Sequence, residues 1–222
     1  MKRFSITSIA AVAAAIVLAT PAQALTDQEE LVEKARITVQ ALLADPNYPA
    51  LRGLLEEAEG VLIVPELVKG GFFIGAEGGN GVLLARQADG SWSDPSFVML
   101  TSGSFGLQIG GEISEVVLAI NSEDGLNAIL DRKARIGADV SAALFTVGAG
   151  VEAGTGIDTN ADMIAFSRSK GLFAGGALEG SVISEKKTWN TAYYGAAAAP
   201  RDILAGRHAN PHSHPLGAAL PR

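Results

Sequence analysis

The feature that most constrains this chain is where its glycines fall. Twenty of the 26 lie in two windows, residues 70–111 and 137–180, interleaved with Phe, Ile, Leu and Val. They keep no three-residue period, which excludes a collagen-like rod, and their apolar neighbours exclude a linker. Related fragments recur: Ile74-Gly75-Ala76-Glu77, Ile109-Gly110-Gly111-Glu112, Val147-Gly148-Ala149-Gly150-Val151-Glu152 and Gly175-Gly176-Ala177-Leu178-Glu179. Glycine weakens a strand, so repeated use at like positions implies bulges, tight curvature, or another backbone or ligand close to that face. The pattern predicts an α+β domain whose curved, Gly-rich antiparallel sheet, open and barrel-like, is covered by short helices.

Periodicity supports that expectation. From residue 61 onward apolar residues alternate with polar or small ones, and turn residues interrupt them at short intervals. Residues 104–111 read as a strand with Phe105, Leu107 and Ile109 on one face, and residues 141–154 repeat the arrangement. Residues 116–120 are apolar at both parities, as in a strand covered on both sides. Helices flank this region. Thr26-Asp27-Gln28-Glu29 is a capping-box pattern, with Leu31, Val32, Ala35, Val39, Leu42 and Leu43 at helical spacing behind it. A second short helix spans residues 49–59, and Ser122 caps a third through Leu130. Residues 25–66 carry nine acids and three bases, making the first helices an acidic cap. Residues 196–222, with four prolines and little periodicity, read as a mobile tail.

Lys2 and Arg3 precede an uncharged apolar run over residues 9–19, then Pro21 and Ala22-Gln23-Ala24. This reads as a secretory signal peptide over residues 1–24, since eleven apolar residues fall short of the roughly 20 that span a bilayer. Its removal leaves 15 Lys+Arg against 24 Asp+Glu, a formal charge of −9, on a chain directed to the periplasm or the exterior. With no cysteine, disulfides, thiolate metal sites and cysteine nucleophiles are excluded. The only histidines are His208, His212 and His214, all in the closing segment, which argues against triad chemistry. An acidic chain does not suit nucleic acid. No phosphate loop, dinucleotide fingerprint or nucleophile elbow is present, so no cofactor and no catalytic residue is expected.

Three stretches carry a resemblance: residues 64–75 (Val-Pro-Glu-Leu-Val-Lys-Gly-Gly-Phe-Phe-Ile-Gly), residues 102–110 (Ser-Gly-Ser-Phe-Gly-Leu-Gln-Ile-Gly) and residues 167–175 (Ser-Arg-Ser-Lys-Gly-Leu-Phe-Ala-Gly). With Leu130, Ile136-Gly137-Ala138-Asp139, Leu178-Glu179-Gly180 and Ala192-Tyr193-Tyr194-Gly195, they resemble the SYLF family over residues 31–195. The resemblance implies a non-catalytic lipid-binding and actin-binding module of the kind found in endocytic proteins, with many exported bacterial members. It places a SYLF-like domain at residues 25–195. Phosphoinositide and actin belong to the eukaryotic relatives. Here the leader places the chain in a cell envelope and the acidic first helix departs from the eukaryotic pattern, so the expected partner is anionic phospholipid met by basic residues elsewhere in the chain. A protein-interaction scaffold or a small apolar-ligand carrier are the alternative readings, with a protein partner unspecified.

The candidate lipid-binding residues are Arg132, Lys133 and Arg135, the densest basic cluster, together with Lys69, Arg168 and Lys170 beside the Gly-rich strands. Each base near an anionic bilayer contributes on the order of 1 kcal/mol, so binding requires several to converge. Phe72, Phe73 and Phe173 could reach the headgroups, but aromatic residues at strand spacing more often belong to a core. Residues 158–162 open like a calcium loop, yet Met163 and Ser169 stand where its Gly and Glu belong, so a turn is expected. His208, His212 and His214 are weak metal candidates.

Overall fold

The computed structural model describes residues 24–71, 74–105, 110–131, 133–139, 141–146, 161–170 and 180–222. Helices α1 (Asp27–Ala44) and α2 (Leu51–Glu57) precede strands β1 (Gly60–Gly71), β2 (Ile74–Ala85), β3 (Ser96–Phe105) and β4 (Gly110–Ile120). Helix α3 (Glu123–Leu130) leads to β5 (Lys133–Arg135), β6 (Ala142–Thr146), β7 (Met163–Lys170) and β8 (Val182–Glu185). Helices α4 (Lys187–Tyr194), α5 (Pro200–Leu204) and α6 (His214–Ala219) close the chain.

The eight strands form one sheet in the order β5-β8-β3-β2-β1-β4-β7-β6. The sheet is antiparallel as expected, with one parallel pairing, that of β6 with β7. Laid flat, the outermost strands would stand roughly 34 Å apart. The seven Cα steps from Arg135 to Ala142 reach at most about 25 Å, and part of that length is spent on a turn in which Asp139 N–H donates to Arg135 O at 2.8 Å. The sheet therefore curls, as expected. Ala134 of β5 and Ala142 of β6, from the two opposite edges, pack with one hydrophobic cluster, which marks the concave side.

That inner cluster contains Leu62, Val64, Leu67, Leu83, Val98, Leu100, Val116, Leu118, Ile120 and Ile183, and α3 and α5 add Ile129 and Leu204. On the convex side Val61, Ile63, Val82, Leu84, Phe97, Val117, Ala119, Ile164 and Phe166 meet α1, α2 and α6. Residues 116–120 are buried at both parities, as their sequence implies. The capping box of α1 forms as read: Thr26 Oγ1 accepts from Glu29 N–H, and Glu29 accepts from Thr26 N–H at 2.8 Å. Ser122 caps α3 by accepting from Gly125 N–H at 3.0 Å. The open C-terminal carbonyls of α2 are met by Arg86, whose Nε donates to Ala58 O at 2.8 Å and whose guanidinium also reaches Leu55 O.

Two expectations are corrected. Residues 104–111 are not one strand: Ser104 and Phe105 end β3, Gly110 and Gly111 begin β4, and those strands are separated by β2 and β1. The closing segment is no loose tail. Leu204, Leu216 and Leu220 are buried, and Trp92 Nε1 donates to Pro221 O at 2.7 Å. Pro200, Pro211 and Pro215 sit in the first turns of short helical pieces, where a missing N–H costs nothing. Of the expected strand over residues 141–154, the part described is β6.

The central strand β1 carries a bulge. Between Ile63 and Val68 it has one residue more than β2 has between Val82 and Gly78, and the register shifts against β4 at the same place. Pro65 lies there, lacking the N–H that a central strand must donate. Gly79 and Gly81 face the bulge closely: a side-chain carbon on Gly79 would lie 2.6 Å from Glu66 O, and one on Gly81 2.8 Å from Ile63 O. Gly79→Ala and Gly81→Ala should each destabilise by about 2 kcal/mol or more in urea unfolding, because backbone must move. Gly53→Ala in α2, with nothing within 4 Å, should instead stabilise by about 0.5–1 kcal/mol.

Candidate binding surface

The basic candidates whose side chains are described, Lys69, Arg168 and Arg135, do not converge. Beyond the bulge, alternation along β1 is inverted, so Lys69 follows Leu67 onto the concave side. There its ammonium meets Glu77, its cross-strand neighbour, at 2.8 Å, with side-chain exposures of 18% and 8%. Arg168 lies on the convex side, two residues beyond Phe166, and its Nε donates to Glu115 Oε2 at 2.6 Å. Both bases are thus committed to carboxylates. The bulge that places Lys69 could have been read from Pro65, but its partner could not.

Arg135 lies on edge strand β5, with five strands between it and β7, and is exposed. Its neighbour Asp131 is occupied by Arg201, whose Nη2 donates to Oδ1 at 2.7 Å, and Asp139 accepts from Arg135 N–H at 2.8 Å. Of Lys133 and Lys170 the backbone is described, paired with Ser184 and Ile113. Arg132, Phe72, Phe73 and Phe173 lie outside the described residues. Lys186, at the start of α4, donates to Asn80 Oδ1 at 2.7 Å and sits 3.3 Å from the centroid of the Trp189 ring. Burial pushes its ammonium below the ordinary lysine value, and Asp27 partly opposes that shift.

The histidines belong to the packed C-terminal segment. His208 lies against Tyr194 with ring centroids 5.7 Å apart, and His212 stands edge-on to Tyr193 at 6.5 Å. Among the described residues no group of three or more His, Cys, Asp or Glu is placed to hold a metal ion. Of the calcium-like segment, Ala161 and Asp162 are described. Asp162 is a staple between elements: it accepts from Ser141 N–H at 3.0 Å, Ser122 Oγ at 2.7 Å and Ser141 Oγ at 2.8 Å. These bonds, led by the Ser141 backbone N–H, hold its carboxyl below the usual aspartate range.

The bare part of the convex face carries what sequence reading overlooked. Val68 and Ile113 are directly opposed on β1 and β4, and both are exposed. Beside them a groove of about 420 Å³ runs between α1 and the sheet, lined by Lys34, Ile37, Thr38, Pro65, Glu66, Ile113 and Glu115. Lys34 bridges to Glu30 at 2.9 Å and to Glu66 at 3.1 Å along its rim.

The family model described as Las17-binding protein actin regulator, Ysc84, matches residues 101–222, more than half the chain. The chain belongs to the Ysc84 (SYLF) family. Protein YSC84 of Saccharomyces cerevisiae is 34% identical over 157 residues, which make up 69% of this chain and 33% of that protein. LAS seventeen-binding protein 3 of the same yeast is 33% identical over 157 residues, 69% of this chain and 34% of its own. The human SH3 domain-containing YSC84-like protein 1 is 32% identical over 154 residues, 69% of this chain and 45% of its own. The chain thus spans a third to under a half of the curated relatives it matches. The Ysc84 match runs through residue 222, in keeping with the packed closing helices.

Two predictions test these structural roles. Lys69→Met leaves Glu77 buried without its cation and should cost about 3 kcal/mol or more, whereas adding Glu77→Leu should restore most of the loss in equilibrium unfolding. For Asp162 the depressed carboxyl stabilises the fold fully above the ordinary aspartate value of about 3.9, and that contribution is lost as pH falls through the lower folded value. Asp162→Asn should therefore be about 1–2 kcal/mol less stable than the parent at neutral pH, with the gap closing in acid melts.

Proposed function

We propose that this member of the Ysc84 family is an exported, non-catalytic module that adsorbs to anionic phospholipid at the surface of a cell-envelope membrane. The observation that carries this reading is the basic edge of the sheet. Arg132, Lys133 and Arg135 fall within four residues, Arg135 is exposed on β5, and the adjacent Asp131 is already engaged by Arg201. Lys69 and Arg168 drop out of the lipid-facing set because their carboxylate partners discharge them. Export rests on Lys2, Arg3, the apolar run over residues 9–19 and Ala22-Gln23-Ala24. None of the described helices is long and apolar enough to cross a membrane, so adsorption from the aqueous side is the mode the described residues suit.

A second reading, a protein-interaction module, draws on relatives named as Las17-binding proteins and on the groove beside α1. Flotation separates them. Residues 25–222 should rise with vesicles containing phosphatidylglycerol at low salt and fall away at high salt, where exposed charges are screened. Arg132→Gln, Lys133→Gln and Arg135→Gln together should weaken binding roughly tenfold to a hundredfold. No flotation with any bacterial lipid mixture at low salt overturns the proposal.

A further inference from the structure

Four strands of the sheet expose a continuous apolar strip on the convex side, past the ends of the covering helices. Val68 of β1 and Ile113 of β4 are direct cross-strand partners, 51% and 49% exposed. On the other side of Val68 its partner is Gly78 of β2, which has no side chain to interrupt the surface. Met99 of β3, 38% exposed, fills that space, its Cε 3.9 Å from where a side-chain carbon on Gly78 would lie. Ile37 of α1, 51% exposed, borders the strip across the groove it shares with Ile113. Scattered apolar residues on a surface are ordinary, whereas a contiguous row marks a contact surface.

The charges around the strip indicate what it touches. The chain as a whole is acidic, with a formal charge of −7, but the acids lining the strip, Glu66 and Glu115, are each ion-paired, Glu115 to Arg168 and Glu66 to a Lys34 that Glu30 shares. Lys186, beside Asn80 on β2, is held by an amide and an aromatic face, and no carboxylate lies within ion-pair distance of it among the described contacts. On β5, Ala134 packs with the inner cluster, so alternation puts Arg135 on the same convex side as the strip. An apolar strip with neutralised acids and cations at its margins complements an anionic bilayer surface. It would not favour a second copy of the same acidic chain.

We infer that this bare convex face is the membrane-contacting face, with Val68, Met99 and Ile113 entering the headgroup region and Arg135 and Lys186 facing lipid phosphate. The inference rests on the lipid-binding reading above and adds its orientation. A curled sheet meets a flat bilayer tangentially, so penetration is shallow and confined to the row across β3, β2, β1 and β4. Ion-paired Lys69 stays on the opposite, concave side.

The absence of cysteine makes the test direct. Val68→Cys, Met99→Cys and Ile113→Cys, with Arg52→Cys on the outer side of α2 as control, are each labelled with an environment-sensitive fluorophore. They are mixed with vesicles of phosphatidylglycerol and phosphatidylethanolamine carrying quenchers at shallow depth. The three strip labels should shift to the blue and be quenched, while the control label should not respond. In the unlabelled chain, Val68→Ser with Ile113→Ser should reduce vesicle partitioning about tenfold with an unchanged thermal melt. If the chain binds vesicles but the strip labels do not respond, the inferred face is wrong and the lipid-binding reading stands. If no variant and no parent binds vesicles, both fall. A blue shift without vesicles that grows with protein concentration, or that appears on adding a protein partner alone, assigns the face to protein contact and overturns the inference.

Discussion

Pro65 has no N–H to donate, yet it lies in β1, a strand hydrogen-bonded to β2 on one side and β4 on the other. A central strand accommodates such a residue by bulging, and one extra residue inverts the alternation of everything beyond it. Before the bulge, Val61 and Ile63 face the helices, while Leu62 and Val64 face the inner cluster. After it, Leu67 and Lys69 turn inward and Val68 turns outward. The neighbouring strand is shaped to match, since Gly79 and Gly81 leave room for the displaced backbone. Gly79 and Gly81 of β2 are therefore explained by close approach of another strand, one of the causes that glycine within a strand suggests.

The helical layer is shorter than the sheet it covers. Helix α1, with 18 residues, is about 27 Å long, and 12-residue β1 is about 40 Å. Its buried side chains, from Leu31 to Leu42, share a cluster with Val61, Ile63, Val82 and Leu84, all on the side of the bulge where β1 begins and β2 ends. The other halves keep their inner face on Leu67 and the Lys69–Glu77 pair and leave their outer face open. Exposure of Val68 follows from this mismatch of lengths together with the inverted parity of β1, whereas Ile113, on the regularly alternating β4, shares the face of Val117 and is bared by the mismatch of lengths alone.

Much of this was legible from residue patterns. The capping box at Thr26, the Ser122 cap and the doubly buried 116–120 segment are local signals, and local hydrogen bonding or periodicity determines them. The curved sheet followed from glycine placement. The break within residues 104–111 was illegible because Phe105, Leu107 and Ile109 keep strand alternation across a strand end. The closing helices were illegible because each is too short for a helical period, and Pro211 and Pro215 read as interruptions rather than first-turn residues. The basic candidates were judged by number and proximity in sequence. Whether a base is free depends on carboxylates distant in sequence, as Arg168 and Glu115 show, and only pairing of β4 with β7 brings those two together.

The Lys69–Glu77 pair illustrates how a Gly-rich sheet keeps its register. Side chains normally fix the alignment of neighbouring strands, because a one-residue slip moves every apolar group to the wrong face. Beyond the bulge β1 and β2 have few such groups, with Gly70, Gly71, Gly75 and Gly78 supplying much of the pairing. Charges can take over that role. Withdrawing two ions from water costs energy, and their attraction offsets the cost only when they meet. In the observed register Lys69 and Glu77 are direct partners at 2.8 Å. A slip of one residue would put them on opposite faces and leave each charge uncompensated, a penalty that the missing side chains of the glycines cannot impose. On this argument the lysine that looked from sequence like a lipid ligand is an alignment device, and it holds in place the strands whose outer face is left bare.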